Sequence, residues 1–182
     1  MKGDAPVSDL GVLLAVDPGE VRTGVAASDP RQLLASPVST LSSTDSVSGV
    51  VAVVAERGAI AVIVGLPLSL SGAEGPAAGK ARSYAQRLVK ALRRAAAPGA
   101  AELPVYLVDE RLTTVSAAAA LRAAGHDSRS ARRVVDQAAA TALLQGVLDA
   151  AGAQGLTGLA VVQTVGQQVV VPSSNGGGDN GV

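Results

Sequence analysis

Short apolar runs alternate with longer amphipathic stretches along this chain, and Pro, Gly and Asp punctuate the changes. Val12–Asp17 is an apolar run with β-branched residues, which predicts a buried strand broken by the turn Asp17-Pro18-Gly19-Glu20. Thr23–Ser28 predicts its hairpin partner and Ala35–Leu41 a third strand, with Pro30 marking the loop between them. Ser43-Thr44-Asp45 predicts a helix cap, the helix running to about Arg57. Ile60–Val64 is the clearest strand, ended by Gly65. After the loop Leu66–Gly75, a long helix is predicted from Pro76 to about Ala97, stopped by Pro98-Gly99. Tyr84, Leu88 and Leu92 fall on one of its faces, with Lys80, Arg87 and Arg94 largely elsewhere. Val105–Val108 predicts another strand, closing in Asp109-Glu110-Arg111. Thr113 and Thr114 predict the cap of an Ala-rich helix to about Ala124, and a last helix spans about Ala131 to Ala151.

This order predicts an α/β fold: three antiparallel strands, then alternating helices and strands, in one mixed sheet flanked by helices. Residues 1–10 read as a loose lead and 11–151 as the domain. Residues 152–182 read as a Gly/Gln/Val-rich tail, either disordered or adding an edge strand or partner-binding segment within Val161–Val171.

Composition narrows the chemistry. The 182 residues suit one domain with a single sizeable core. Its hydrophobic fraction of 48% is almost wholly Ala, Val and Leu, and the absence of Phe and Trp excludes binding through aromatic stacking platforms. With no cysteine, thiol nucleophiles, disulfides and Cys-ligated zinc are excluded. The lone histidine, His126, cannot build a His-based metal site by itself, though it is a candidate phosphate contact. Any metal must be held by oxygen, which favours Mg²⁺ or Mn²⁺. The N-terminal apolar run is too short for a secretory signal, no stretch approaches the ~18 apolar residues of a membrane span, and the cytoplasm is the expected location.

The net charge of zero hides an asymmetry. Residues 1–79 carry 4 basic and 8 acidic side chains, residues 80–133 carry 11 and 4, and residues 134–182 carry none and 3. A basic middle beside acidic flanks is compatible with a polyanionic partner, and equally with a solvated helix face.

Three acids stand where the pattern predicts none. Asp17 ends the first strand, and Glu110 ends the fifth on the face of Tyr106 and Val108, with Asp109 on the opposite face. Ligands of open α/β sheets gather outside the carboxyl ends of strands, yet a lone acid there is more often a turn residue. Asp136 shares a helix face with Ala139, Ala140, Leu143, Leu144 and Val147, so its charge needs compensation. A metal would supply that, as would the positive end of the helix or nearby Arg132 and Arg133. Three carboxylates converging from separate elements would hold two divalent ions for phosphodiester hydrolysis. No Ser-His-Asp set is available without His126, and the glycine spacing at Gly75-x-x-x-Gly79-Lys80 excludes a P-loop.

Four segments together resemble a known family. Val16-Asp17-Pro18-Gly19-Glu20-Val21-Arg22-Thr23-Gly24-Val25-Ala26 is similar to the first motif of the YqgF/RuvX proteins. Val62-Ile63-Val64-Gly65-Leu66-Pro67-Leu68 with Ser71-Gly72 resembles the second, Val108-Asp109-Glu110-Arg111-Leu112-Thr113-Thr114 the third, and Val135-Asp136-Gln137-Ala138-Ala139-Ala140 the fourth. The chain departs from the pattern at Pro18, where an aromatic or aliphatic residue is common. The resemblance covers residues 11–150 and implies an RNase H-like domain related to Holliday-junction resolvases. It implies a metal-dependent endonuclease maturing the 5′ end of precursor 16S ribosomal RNA, with branched DNA as the alternative substrate, acting as monomer or homodimer. Asp17, Glu110 and Asp136 are then the catalytic, Mg²⁺- or Mn²⁺-binding carboxylates, with Asp109 a fourth candidate ligand.

The same motifs suggest nucleic-acid contacts. Gly19 leaves room for a phosphate near Asp17, and Arg22 is a phosphate clamp or the partner of Glu20 or Asp109. Gly65, Ser71 and Gly72 mark either a loop whose amides meet phosphates or a tight strand-to-helix connection. Arg111 orients Glu110 or meets substrate, and Lys80, Arg82, Arg129, Arg132 and Arg133 are candidates for an electrostatic track. Two readings from other classes compete. A small actin-like ATP-binding domain would bind ATP and not nucleic acid. A non-catalytic RNA-binding module would keep its RNA affinity after chelation of metal and loss of Asp17.

Overall fold

Apolar runs buried on both faces set the centre of the sheet. The protein's computed structural model describes residues 10–95, 99–110, 129–151 and 162–165. In it β1 (Val12–Pro18) pairs antiparallel with β2 (Arg22–Ser28), and β2 with β3 (Ala35–Ser42). On its other side β1 pairs parallel with β4 (Ala59–Leu66), and β4 parallel with β5 (Val105–Asp109). The strand order is β3-β2-β1-β4-β5-β6, where β6 (Val162–Val165) is an antiparallel edge strand. The sheet therefore extends beyond residue 151, by the edge strand that was one of two roles expected of Val161–Val171.

Helices α1 (Ser46–Arg57) and α2 (Pro76–Arg94) cover one face, and α3 (Arg129–Ala151) covers the other. Strand alternation sorts β1 between two cores. Leu14 and Val16 pack with Val50, Leu88 and Leu92, whereas Leu13 and Ala15 pack with Leu143, Leu144 and Val147. Each fully buried Leu or Val contributes about 1.5–3 kcal/mol, so α3 is held on the sheet mainly by this stripe. Burial on both faces is why β1 and β4 read as continuous apolar runs.

Two boundaries differ from the sequence reading, those of β4 and α2. β4 continues through Gly65, which pairs with Val108. α1 keeps its expected ends, with Asp45 at the N-cap and Arg57 last, although the Asp45 side chain makes no capping bond; Gly58 closes the C-terminal end, its left-handed backbone (φ 58°) donating its N–H to Val54 O. α2 ends at Arg94, where extended Ala95 donates its N–H to the carbonyls of Ala91 and Leu92. The helix predicted after Thr113 lies outside the described residues. Among the described residues no helix is long and apolar enough to cross a membrane.

Candidate active site

Two glycines shape the place where Asp17, Glu110 and Asp136 meet the sheet. Asp17 in β1 lies opposite Gly24 in β2, and the register Val16↔Val64 sets Gly65 of β4 beside it on the other side. Alternation turns Asp17, Gly24, Gly65 and Glu110 to the α3 face, following Ala15, Ala26, Ile63 and Val108. Glu110 leans over Gly65. A Cβ at Gly65 would come within 2.6 Å of Glu110 Oε1 and 3.2 Å of both its Cγ and Leu143 Cδ2. The absent side chain is thus the space that the Glu110 carboxylate occupies.

Gly24 does the same for α3. A Cβ there would lie 2.0 Å from the Asp136 carbonyl oxygen and 2.6 Å from its carbon, so the helix backbone rests directly on β2. That close approach brings Asp136 next to the strand residue paired with Asp17. α3 begins at Arg129, which puts Asp136 two turns inside it, beyond the first turn where the helix dipole acts. Its compensation comes from Arg22: Arg22 Nε donates to Asp136 Oδ2 at 2.9 Å, with the side chains 25% and 30% exposed. Arg22 was expected at a phosphate, or beside Glu20 or Asp109; its partner is this third acid. Among the described residues no three acidic or histidine side chains stand close enough together to hold one ion.

A cavity of about 580 Å³ crosses the strand ends. Asp17, Gly65 and Glu110 form its floor; Gly19 and Glu20 of the first turn, Thr23, and Lys80, Tyr84 and Arg87 of α2 form its walls. Lys80 Nζ donates to Glu20 Oε1 at 2.6 Å, and this contact holds the Glu20 carboxyl below its ordinary range. Burial pushes the Tyr84 hydroxyl up, although Ser46 and Arg87 oppose the shift. That hydroxyl makes no hydrogen bond of good geometry, Ser46 being near but poorly aligned, and Thr23 Oγ1 is likewise buried without one. The Arg87 guanidinium carbon sits 5.6 Å above the Tyr84 ring. Arg87, Tyr84, Thr23 and Gly24 were not singled out as site residues by sequence reasoning. A glycine inside a strand pattern was the available signal for Gly24, and Tyr84 was assigned to the core alone.

The remaining expected residues are placed as follows. Asp109 is 4% exposed, and alternation turns it to the α1–α2 face, away from Glu110. The adjacent acids therefore cannot both reach the α3 face. Gly19 makes the first turn possible, because a Cβ there would meet Arg22 O at 2.5 Å; its N–H donates to that same oxygen. Ser71 and Gly72 belong to a turn that satisfies itself. Gly72 N–H donates to Ser69 O, Ser69 N–H to Ala73 O and Ala73 N–H to Ser69 Oγ, while Ser71 Oγ bonds Ser69 Oγ. The amides of Ser69, Gly72 and Ala73 are thus engaged within the turn, which favours the tight-connection reading of this loop. Arg82 is paired with Glu74 outside the cavity. Arg129, Arg132 and Arg133 lie in the first two turns of α3, while Arg111 and His126 fall outside the described residues.

A family model described as "RuvX: Holliday junction resolvase" matches residues 11–150. A relative from Kineococcus radiotolerans, named "Putative pre-16S rRNA nuclease", is 50% identical over 144 residues, covering 77% of this chain and 72% of that one. One from Streptomyces coelicolor with the same name is 45% identical over 157 residues, covering 85% and 89%. Among solved structures, Thermus thermophilus RuvC in complex with Holliday junction substrate aligns with a TM-score of 0.49 at 13% identity, over 85% of this chain and 99% of that one.

Proposed function

Because this chain belongs to the RuvX family, we propose that it is a divalent-metal-dependent endonuclease that trims the 5′ end of precursor 16S ribosomal RNA, a cytoplasmic task. The observation that carries the chemistry is the placement of Asp17 and Glu110 on one face of the sheet, at the ends of the two strands that flank β4, with Gly65 of β4 leaving room for the Glu110 carboxylate.

The donor set fits a hard divalent cation. Mg²⁺ is commonly held by one or two carboxylates, its other positions being left to water and phosphate oxygens. Asp17 and Glu110 would supply such a pair, and Asp136, held by Arg22 in this structure, would be the third carboxylate to join them. When bound, one or two Mg²⁺ or Mn²⁺ ions supply Lewis-acid stabilisation of the phosphate and activation of the attacking water. The protein's own groups then position the substrate. Lys80 and Arg87 on the α2 wall bring positive potential to a cavity whose floor is acidic. The Lys80–Glu20 pair is largely exposed, at 69% and 79%, so it exchanges for a phosphate at little cost. Without a bound cation, the acidic floor repels the phosphodiester, which makes cleavage strictly metal-dependent.

Gly65 gives a prediction of its own. In Gly65→Ala the new Cβ displaces the Glu110 carboxylate, the far end of a flexible side chain, so the fold survives while the donor pair is disturbed. The expected result is about a 10²-fold loss of the cleavage rate, the scale that a 1 Å misplacement produces, with a melting temperature within a few degrees of the parent. Wild-type cleavage by this variant would show that Glu110 does not act from the position it occupies here.

The description of the matching family favours a second substrate, four-way-junction DNA. Purified protein with Mn²⁺ or Mg²⁺ is tested against precursor 16S RNA, single-stranded RNA, duplex DNA and a four-way junction, with EDTA controls. Metal-dependent cutting at the RNA 5′ end supports the proposal, and preferential cutting of the junction supports resolution instead. Binding that persists in EDTA with no cleavage of any substrate overturns the nuclease reading in favour of an RNA-binding module.

A further inference from the structure

The Arg22–Asp136 ion pair ties the third carboxylate to a cation that the protein itself carries. Four observations bear on it. Arg22 Nε donates to Asp136 Oδ2 at 2.9 Å. Asp136 cannot escape this neighbourhood as a unit, because its backbone is pressed on Gly24, two residues from Arg22 in β2. Among the described residues no third acid yet stands with Asp17 and Glu110. The pair is only partly buried, with side chains 25% and 30% exposed, so it opens by side-chain rotation and without unfolding.

We propose that Arg22 competes with the divalent cation for Asp136 and is drawn off by the substrate's phosphate, so that metal loading and nucleic-acid binding reinforce each other at this site. The inference rests on the nuclease reading above and adds a regulation to it. A guanidinium suits both roles, since its planar fork of donors matches carboxylate and phosphate equally well. Held on Asp136, it neutralises the charge that a metal would use and adds repulsion against an approaching cation. Held on a phosphate, it releases Oδ2. By linkage, a substrate that removes Arg22 tightens metal binding, and metal tightens substrate binding by the same factor.

The test is Mn²⁺ affinity of the full chain without nucleic acid, read by calorimetry or by the spectrum of the free ion. Arg22→Gln is expected to bind Mn²⁺ about tenfold tighter than the parent, because one unit of nearby positive charge is gone. Arg22→Lys keeps the charge and is expected to stay within about twofold of the parent. In an Asp136→Asn background, Arg22→Gln is expected to change the affinity little, since the competed ligand is absent. Adding single-stranded RNA is expected to tighten Mn²⁺ binding in the parent and not in Arg22→Gln. Unchanged or weaker Mn²⁺ binding by folded Arg22→Gln overturns the proposal and makes Arg22 a support that orients Asp136. That outcome is separable from failure of the nuclease reading, because parent protein that cuts RNA with Mn²⁺ leaves the enzyme assignment standing.

Discussion

An Asp17→Asn variant is expected to fold like the parent and to lose cleavage by at least about a thousandfold, the scale reached when one member of a cooperating catalytic set is removed. The substitution keeps the shape of the side chain and replaces one carboxylate oxygen by an amide that donates hydrogen bonds and carries no charge. Asp17 is half-buried at the end of β1, with Gly24 and Gly65 as its neighbours in the sheet, so the isosteric change adds no bulk there. Thermal melts and circular dichroism check the fold, and single-turnover cleavage checks the rate. Retention of more than about a tenth of the parent rate would remove Asp17 from the catalytic set.

Gly24→Ala is expected to do its damage through the backbone. Its Cβ would lie 2.0 Å from the Asp136 carbonyl oxygen, 2.6 Å from its carbon and 3.3 Å from Gln137 N. These atoms belong to a helix fixed by Ala140, Leu143, Leu144 and Val147, so relief requires moving α3 off β2. Overpacking of this kind costs about 1–3 kcal/mol or more. For a chain of this size each kcal/mol lowers the melting temperature by about 2–4 °C, so a drop of about 2–12 °C is expected. The cleavage rate should fall further than the loss of folded protein explains, because Asp136 rides on the displaced helix. A melting temperature equal to the parent's would show that α3 is not seated on Gly24.

The contrast between the two glycines shows what the sequence could and could not convey. The strands β1 and β4 were legible because burial on both faces writes an unbroken apolar run. Asp136 stood out because a carboxylate on an apolar helix face needs a partner, but the partner's identity did not. Arg22 lies 114 residues away in sequence, and no local pattern joins the two. Gly65 read as the end of a strand because glycine usually breaks one. In the structure it is an internal strand residue, kept small by Glu110 and Leu143, two side chains that a local reading does not connect to it.

Asp109 and Glu110 make the same point from the other direction. Alternation alone sent them to opposite faces, and the core clusters on each side of β5 agree with it. Alternation did not reveal that a cavity would run from Glu110 to Lys80 and Arg87 on α2. Arg87 had been separated from the apolar face of its helix, and its position over Tyr84 depends on how α2 lies across the sheet. The capping role expected of Asp45 also failed, since its side chain makes no bond to the amides of α1 while its carbonyl accepts from Ser48 Oγ and Gly49 N–H.

Anomalous diffraction from crystals of the full chain grown with Mn²⁺ and a short single-stranded RNA would locate the metal directly. Manganese is expected at the carboxyl ends of β1 and β5, with ligands from Asp17 and Glu110 and with Asp136 turned toward it from Arg22. Manganese bound elsewhere, with Asp17 and Glu110 making no contact to it, would show that these carboxylates are not the metal ligands.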